Sequence, residues 1–291
     1  MTMKTGFGLT LKLSTIFVFL FIAPVGCMVI AHLSSEGSEP QIFGRHGSTL
    51  QAPDADSGDA VIQVYAARAA RWRGALGVHS WIATKRSDEQ SYTRLEVIGY
   101  RVRWGGDAVR VRSGVPDGMW FGKKPELLRE IRGDASVDDL IDTLHQAAAD
   151  YPYNDYYRVW PGPNSNTFIA YLARAVPALR LELPPTAIGK DYLPRGGVVR
   201  KTPSGMGLQV SLRGYAGILA GLEEGLELNL IGLTAGIDLL PPAIKLPGVG
   251  RIGFSDKRRI VIEDKPHSPW QYRHLRGSLP DNITTCQYRP T

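Results

Sequence analysis

Two short stretches decide how this chain reads: Val78-His79-Ser80-Trp81 and Gly162-Pro163-Asn164-Ser165-Asn166-Thr167-Phe168. The first lies in an alternating apolar run and reads as a histidine on a strand. The second sets small polar residues just ahead of Phe168, Leu172, Ala175, Val176 and Leu179, which recur at helical spacing until Pro177 ends the run. It therefore marks a turn into a helix, where free backbone N–H groups point outward and can polarise a side chain. Serine there has two readings, a helix cap or a nucleophile. A lone histidine on a half-buried strand likewise reads as an ordinary core or edge residue, or as a general base.

Working outward, residues 60–66, 77–84 and 92–103 read as strands, rich in valine, isoleucine and aromatics with period-two alternation. Pro125 and Gly133 bracket an expected short helix. Ser136 is expected to cap a second helix, with Asp138 and Asp139 in its first turn and Val137, Leu140, Ile141 and Leu144 on one face. The aromatic-dense stretch 151–160 ends at Trp160 and leads into the serine motif. Residues 181–205, rich in proline and glycine, are expected to fold over a cleft. Residues 208–221 and 226–238 read as one β-hairpin around Glu223-Glu224-Gly225, apolar on both faces, packed on the main sheet or, as the lesser alternative, on lipid. Glu223, Glu224, Glu227 and Asp238 exclude a second membrane helix there.

With 291 residues, 43% hydrophobic and 21% charged, the chain holds enough apolar material for a folded core. Residues 13–31 carry no charge, which gives roughly 28 Å of helix, about the thickness of a bilayer core. By its length this run is expected to be an uncleaved single-pass anchor. A cleaved signal peptide ending at Val29-Ile30-Ala31 and a lipoprotein signal at Gly26-Cys27 are the rival readings, and all three export the downstream domain. Lys4 and Lys12 precede the run while Glu36 and Glu39 come after it, which places the N-terminus in the cytoplasm and the domain on the periplasmic side of a bacterial inner membrane. The expected organisation is an anchor at 1–33, a flexible linker at 34–58, an α+β domain with an antiparallel sheet at 59–205 and a β-rich extension at 206–291.

Only Cys27 and Cys286 occur, one of them in the apolar run, so no disulfide within the domain is expected. The net charge of +6 is spread over small clusters such as Arg68, Arg71 and Arg73 or Arg110 and Arg112, which read as solvated surface. An exported basic domain would meet anionic headgroups or cell-wall polymer, not nucleic acid. The six histidines lack metal-ligand spacing, so no metal is expected. Gly248-Val249-Gly250-Arg251-Ile252-Gly253 fits a dinucleotide pattern but precedes a basic run and no apolar helix, and neither a phosphate loop nor a Gly-x-Ser-x-Gly elbow occurs, so no cofactor is expected.

The order of Gly77-Val78-His79 on a strand and Asn164-Ser165-Asn166-Thr167-Phe168 at a helix start resembles circularly permuted papain-like hydrolases: the PPPDE peptidases, the lecithin:retinol acyltransferase group and permuted NlpC/P60 proteins. In that resemblance Ser165 stands where the family has cysteine. It implies His79 as base, Ser165 as nucleophile and Glu96, on the next strand, as the group orienting the imidazole. Trp81, Trp160, Asn164, Asn166 and Thr167 would then line the cleft. A hydroxyl ionises far less readily than a thiol, so Ser165 would need His79 as a true general base. Two functions stay side by side: a non-catalytic binding or structural module, and a serine-dependent amidase, acyl hydrolase or transferase acting on cell-wall peptide or lipid. Over residues 60–260 the chain also resembles a bacterial family designated domain of unknown function thirty-seven-fifty. The segments that carry this are 162–168 and Leu183-Pro184-Pro185-Thr186-Ala187-Ile188-Gly189-Lys190-Asp191-Tyr192. It implies membrane association.

Overall fold

A computed structural model describes residues 12, 14–35, 47–254 and 259–261. The chain is α+β, with two sheets, two packed helices and one apolar N-terminal helix. That helix, α1 (Ala23–Ser35), continues a π-helical turn at Val18–Ile22. Together they form an apolar stretch, Ser14–Ser34, with a mean hydropathy of 2.5, long enough to cross a membrane. Phe21 and Pro24 are buried against the domain, while most of the remaining large side chains are exposed.

The first sheet contains β1 (Ala60–Arg68), β2 (Val78–Lys85), β3 (Thr93–Val97), β4 (Val109–Ser113) and β5 (Glu126–Gly133). A final strand, Arg259–Val261, pairs in parallel with β5; the other pairs are antiparallel, in the order β5-β1-β2-β3-β4. Two helices, α2 (Ala135–Ala149) and α3 (Ser165–Ala175), cover one face. On that side Ile62, Val64, Ile82 and Leu95 pack with Ile141, Leu144, Phe168 and Leu172. The opposite face carries a second cluster, Val61, Tyr65, Trp81, Ala83 and Tyr92. β1 and β2 are thus buried on both faces.

Several sequence expectations change here. Residues 126–133 form a strand and not a helix, because pairing with β1 claims them along their whole length. Strand β3 stops at Val97, and a single helical turn, Gly99–Val102, comes next. Helix α2 is capped by Asp134, whose carboxylate accepts the Ser136 N–H at 3.2 Å, so Ser136 lies inside the helix. Residues 47–58, expected as linker, pack on the domain: Asp117 accepts hydrogen bonds from Ser48, Thr49 and Gln51, and Lys85 donates to the Ser57 carbonyl at 2.8 Å. Ser34 and Ser35 of that linker end α1, and residues 36–46 and Cys286 lie outside the described residues.

The expected hairpin is part of a seven-stranded antiparallel sheet: β6 (Val199–Lys201), β7 (Gly207–Leu212), β8 (Ala216–Gly221), β9 (Gly225–Leu230), β10 (Leu233–Leu239), β11 (Pro242–Leu246) and β12 (Gly250–Gly253). Extra turns fall at Arg213-Gly214 and Ile231-Gly232, where both residues of each pair have positive φ, the backbone that two-residue hairpin loops require. This sheet has its polarity reversed. The inward row reads Gln209, Leu219, Glu227, Gly236, Lys245 and Arg251 across neighbouring strands. Lys245 Nζ, 0% exposed, meets Glu182 at 2.7 Å, Glu227 at 2.8 Å and Asp238 at 2.8 Å. Lys190 adds a second ammonium to Glu227 at 2.6 Å. Asp191 accepts from Gln209 and Asn229, both at 2.6 Å. Ion pairs, not leucines, join this sheet to residues 181–192.

Candidate functional site

Alternation along β2 sends Val78, Ser80, Ile82 and Thr84 toward the helices and His79, Trp81, Ala83 and Lys85 to the other side. On the helix side, Ser80 Oγ donates to Asn166 Oδ1 at 2.8 Å. On the other side, the His79 ring stacks on Trp120 at 3.8 Å and lies 5.9 Å from Trp81. His79 Nε2 is 3.5 Å from Glu96 Oε2, an ion-pair distance too long for a well-formed hydrogen bond. Glu96 is fully buried on β3 and accepts from Arg94 at 2.9 Å and from Arg110 Nε at 3.0 Å, with a further close contact to Arg110 Nη2. Arg94 also lies 4.5 Å over the Trp81 ring. Burial pushes Glu96 up, but His79, Arg94 and Arg110 together outweigh it and hold the carboxyl at about 2. Burial lowers the His79 imidazole below its usual value, and Glu96 counters this only in part. A neutral imidazole therefore sits over a carboxylate locked by two guanidinium groups.

The serine motif is built on the helix side. Asn164 is the N-cap of α3: its Oδ1 accepts the N–H groups of Asn166 at 3.0 Å and Thr167 at 3.1 Å, and Thr167 Oγ1 accepts the Asn164 N–H at 3.1 Å, closing a capping box. Asn164 Nδ2 donates to the carbonyls of Val159 and Ile188, both at 2.9 Å. Asn166 Nδ2 donates to Val78 at 3.1 Å and Ile188 at 2.8 Å, and Thr167 Oγ1 donates to Gly189 at 2.7 Å. Gly189 has φ of +99°, and a Cβ there would stand 2.3 Å from Asn164 Nδ2, so only glycine fits. Segments 162–168 and 183–192 thus lock to each other and to the first residues of β2. Within the stretch expected to fold over a cleft, Ile188 and Gly189 bind the start of α3, while Glu182, Pro184 and Thr186 border a cavity on the other side.

His79 and Ser165 are not brought together. They lie on opposite sides of the sheet, and no hydrogen bond joins them. Ser165 is buried in the first turn of α3, and among its neighbours it is Asn164, not Ser165, that caps the helix. Glu96 stands beside His79, as the resemblance implied, yet its stronger partners are Arg94 and Arg110. Trp81 is buried and donates to the Pro116 carbonyl at 2.7 Å. Trp160 lies apart, edge-on to Tyr215 at 5.0 Å and bonded to the Ile231 carbonyl at a turn of the second sheet. Asn166 and Thr167 are consumed by backbone carbonyls. Arg94 and Trp120 escaped the sequence reading, and Arg110, read there as solvated surface, is half-buried against Glu96, although Arg94, Glu96 and Arg110 share one face by strand alternation.

A cavity of about 350 Å³ opens between the sheets, bordered by Arg68, Lys124, Glu126, Arg129, Glu182 and Arg251. Neither His79 nor Ser165 borders it. Arg68 is already committed to the Gly248 and Val249 carbonyls at 2.7 and 3.2 Å. No group of three or more His, Cys, Asp or Glu suited to a metal occurs among the described residues.

Both locked segments and the whole five-strand, two-helix unit fall within residues 59–192, which match the family described as protein of unknown function, DUF3750. Residues 59–192, somewhat under half of the chain, are similar to this family. The DUF3750 match ends at Tyr192, so it takes in the polar segment 183–192 and stops before the seven-stranded sheet. No curated protein and no solved structure matches the chain.

Proposed function

We propose that this chain is a membrane-tethered, non-catalytic module of the bacterial cell envelope, its DUF3750-like domain held on the periplasmic side by the N-terminal helix. The observation that carries this reading is the direction of β2. Ser80 meets the helix, so His79 points away from Ser165, and a serine without a base within reach is a poor nucleophile. The order of histidine strand and later helix supports a permuted papain-like ancestry of the scaffold, with the place of chemistry now occupied by an asparagine–threonine lock. The basic flank of Lys4 and Lys12 supports the periplasmic side. Cell-wall polymer or phospholipid is the partner class that suits an exported basic domain.

The test is a fluorophosphonate probe on the purified full chain, with Ser165→Ala as control. No Ser165-dependent labelling is expected, and Ser165→Ala should complement a deletion strain fully. Labelling that disappears in both Ser165→Ala and His79→Ala would establish the alternative, a serine hydrolase or acyltransferase.

A further inference from the structure

The face of the seven-stranded sheet that turns away from the ion-pair network is apolar except at Lys201 on its edge strand. One register row crosses every strand: Lys201, then Leu208, Ala220, Leu226, Ile237, Ile244 and Ile252, all exposed. Neighbouring strands lie about 4.8 Å apart, so the row is roughly 30 Å wide. The next outward row, Val199, Val210, Ile218 and Leu228, is also exposed. At the outward positions of β6 to β12 there is no carboxylate, and Lys201 is the one charged residue. A folded domain does not leave so broad an apolar face in water without a use for it.

Three further observations name what covers it. The Val18–Ile22 turn of the N-terminal helix contacts β10, and Met28 abuts Gly248 in the turn before β12, so the apolar helix and the sheet are continuous. Ala235, outward by register, is 5% exposed, while Leu228 beside it is open. The rim is of the kind found where bilayer meets water: Trp160 edge-on to Tyr215, both partly exposed, with Arg213 in the same turn and Lys201 on the edge strand. Aromatic rings sit at headgroup depth, and cations meet anionic lipid there.

We infer that the outward face of this sheet seats on the phospholipid bilayer beside the N-terminal helix, at the boundary of headgroups and acyl chains. The edge strands then keep headgroups and water as hydrogen-bond partners, which they would lose at greater depth. This inference rests on the reading that Ser14–Ser34 enters the membrane. It explains why charges face inward and leucines outward: the ion pairs hold the sheet to the domain and leave its apolar side free for lipid.

The test uses the full chain with Cys27→Ser and Cys286→Ser, reconstituted in vesicles of phosphatidylethanolamine and phosphatidylglycerol. Single cysteines at Leu228 and Ile244 (sheet), Ile30 (helix) and Asp142 (remote, exposed on α2) each carry a fluorophore. Two sheet positions are used so that one misfolded variant does not decide the result. Lipids brominated near the headgroup end of the acyl chain should quench the labels at Leu228, Ile244 and Ile30, and leave Asp142 bright. Quenching at Ile30 alone, with sheet labels open to aqueous iodide, would overturn the docking and leave the anchor standing. Sheet labels shielded from both quenchers would overturn it in favour of a protein cover. An unquenched Ile30 would overturn the anchor, and the sheet labels would still decide docking separately.

Discussion

Replacing Lys245 with methionine tests the reversed polarity of the second sheet. Methionine keeps the stem and removes an ammonium held by three carboxylates at 2.7–2.8 Å and by the Glu224 carbonyl at 2.6 Å. Breaking a fully buried pair by removing one partner costs about 3–5 kcal/mol, because the remaining charges stay buried without compensation. For a domain of this size each kcal/mol lowers Tm by about 2–4 °C, so a fall of roughly 6–20 °C is expected. The pH dependence carries its own sign. In the wild type, burial opposes the charged form of Lys245, but Glu227, Glu182 and Asp238 raise its affinity for the proton. Burial likewise opposes the Glu227 carboxylate, and Lys190 and Lys245 lower it. Their contribution is therefore complete between about pH 4.3 and about pH 10.4, the unfolded values, and fades outside that window. In Lys245→Met the orphaned carboxylates bind protons more tightly folded than unfolded, so the deficit should shrink as pH falls from 7 toward 5. Thermal unfolding of both proteins by circular dichroism in the same detergent measures this. A Tm within about 2 °C of wild type, or a deficit that widens on acidification, would refute the ion-pair account.

Three substitutions in the serine motif should separate by role. Ser165→Ala should cost less than about 1 kcal/mol, as read by urea denaturation, whereas Asn164→Ala should cost about 2–4 kcal/mol through loss of the cap and of the donor to the Val159 carbonyl, and Asn166→Ala about 2–4 kcal/mol through loss of the donor to the Val78 carbonyl and of the acceptor of Ser80 Oγ. Equal costs at all three would undo the assignment of Asn164 as cap. Glu96→Gln should destabilise by about 3–5 kcal/mol at pH 7, because it leaves Arg94 and Arg110 without their counter-ion. Glu96 is held at about 2 when folded, so its contribution is present above about pH 4.3 and is lost as pH falls toward 2, and the variant should lose less on acidification than the wild type.

Strands β1 and β2 were legible because valine, isoleucine and aromatics alternate there. The direction of His79 was not. Alternation names two sets of residues but points neither set inward when both faces are buried, and 60–66 and 79–85 are buried on both. Residues 125–133 misled for another reason. Proline ahead and glycine behind suit a helix, yet Leu127 and Leu128 serve opposite faces of the sheet, as a strand requires. The turns at Arg213-Gly214 and Ile231-Gly232 were hidden because arginine and isoleucine stand where asparagine is usual, at φ of +52° and +56°. The reversed second sheet could be read as alternating, but only its partners, Lys190 and Glu182 on the preceding segment, reveal that the polar side is the inner one.

Titration of the His79 ring by nuclear magnetic resonance, in wild type, Ser165→Ala and Glu96→Gln, tests the central claim most directly. The imidazole should titrate below its usual value of about 6.5 in the wild type, because burial disfavours its charged form. Glu96→Gln should move it lower still, by removing the carboxylate that favours the proton, and Ser165→Ala should leave it unchanged. A His79 titration that shifts in Ser165→Ala would place serine and imidazole in one site and contradict the non-catalytic account.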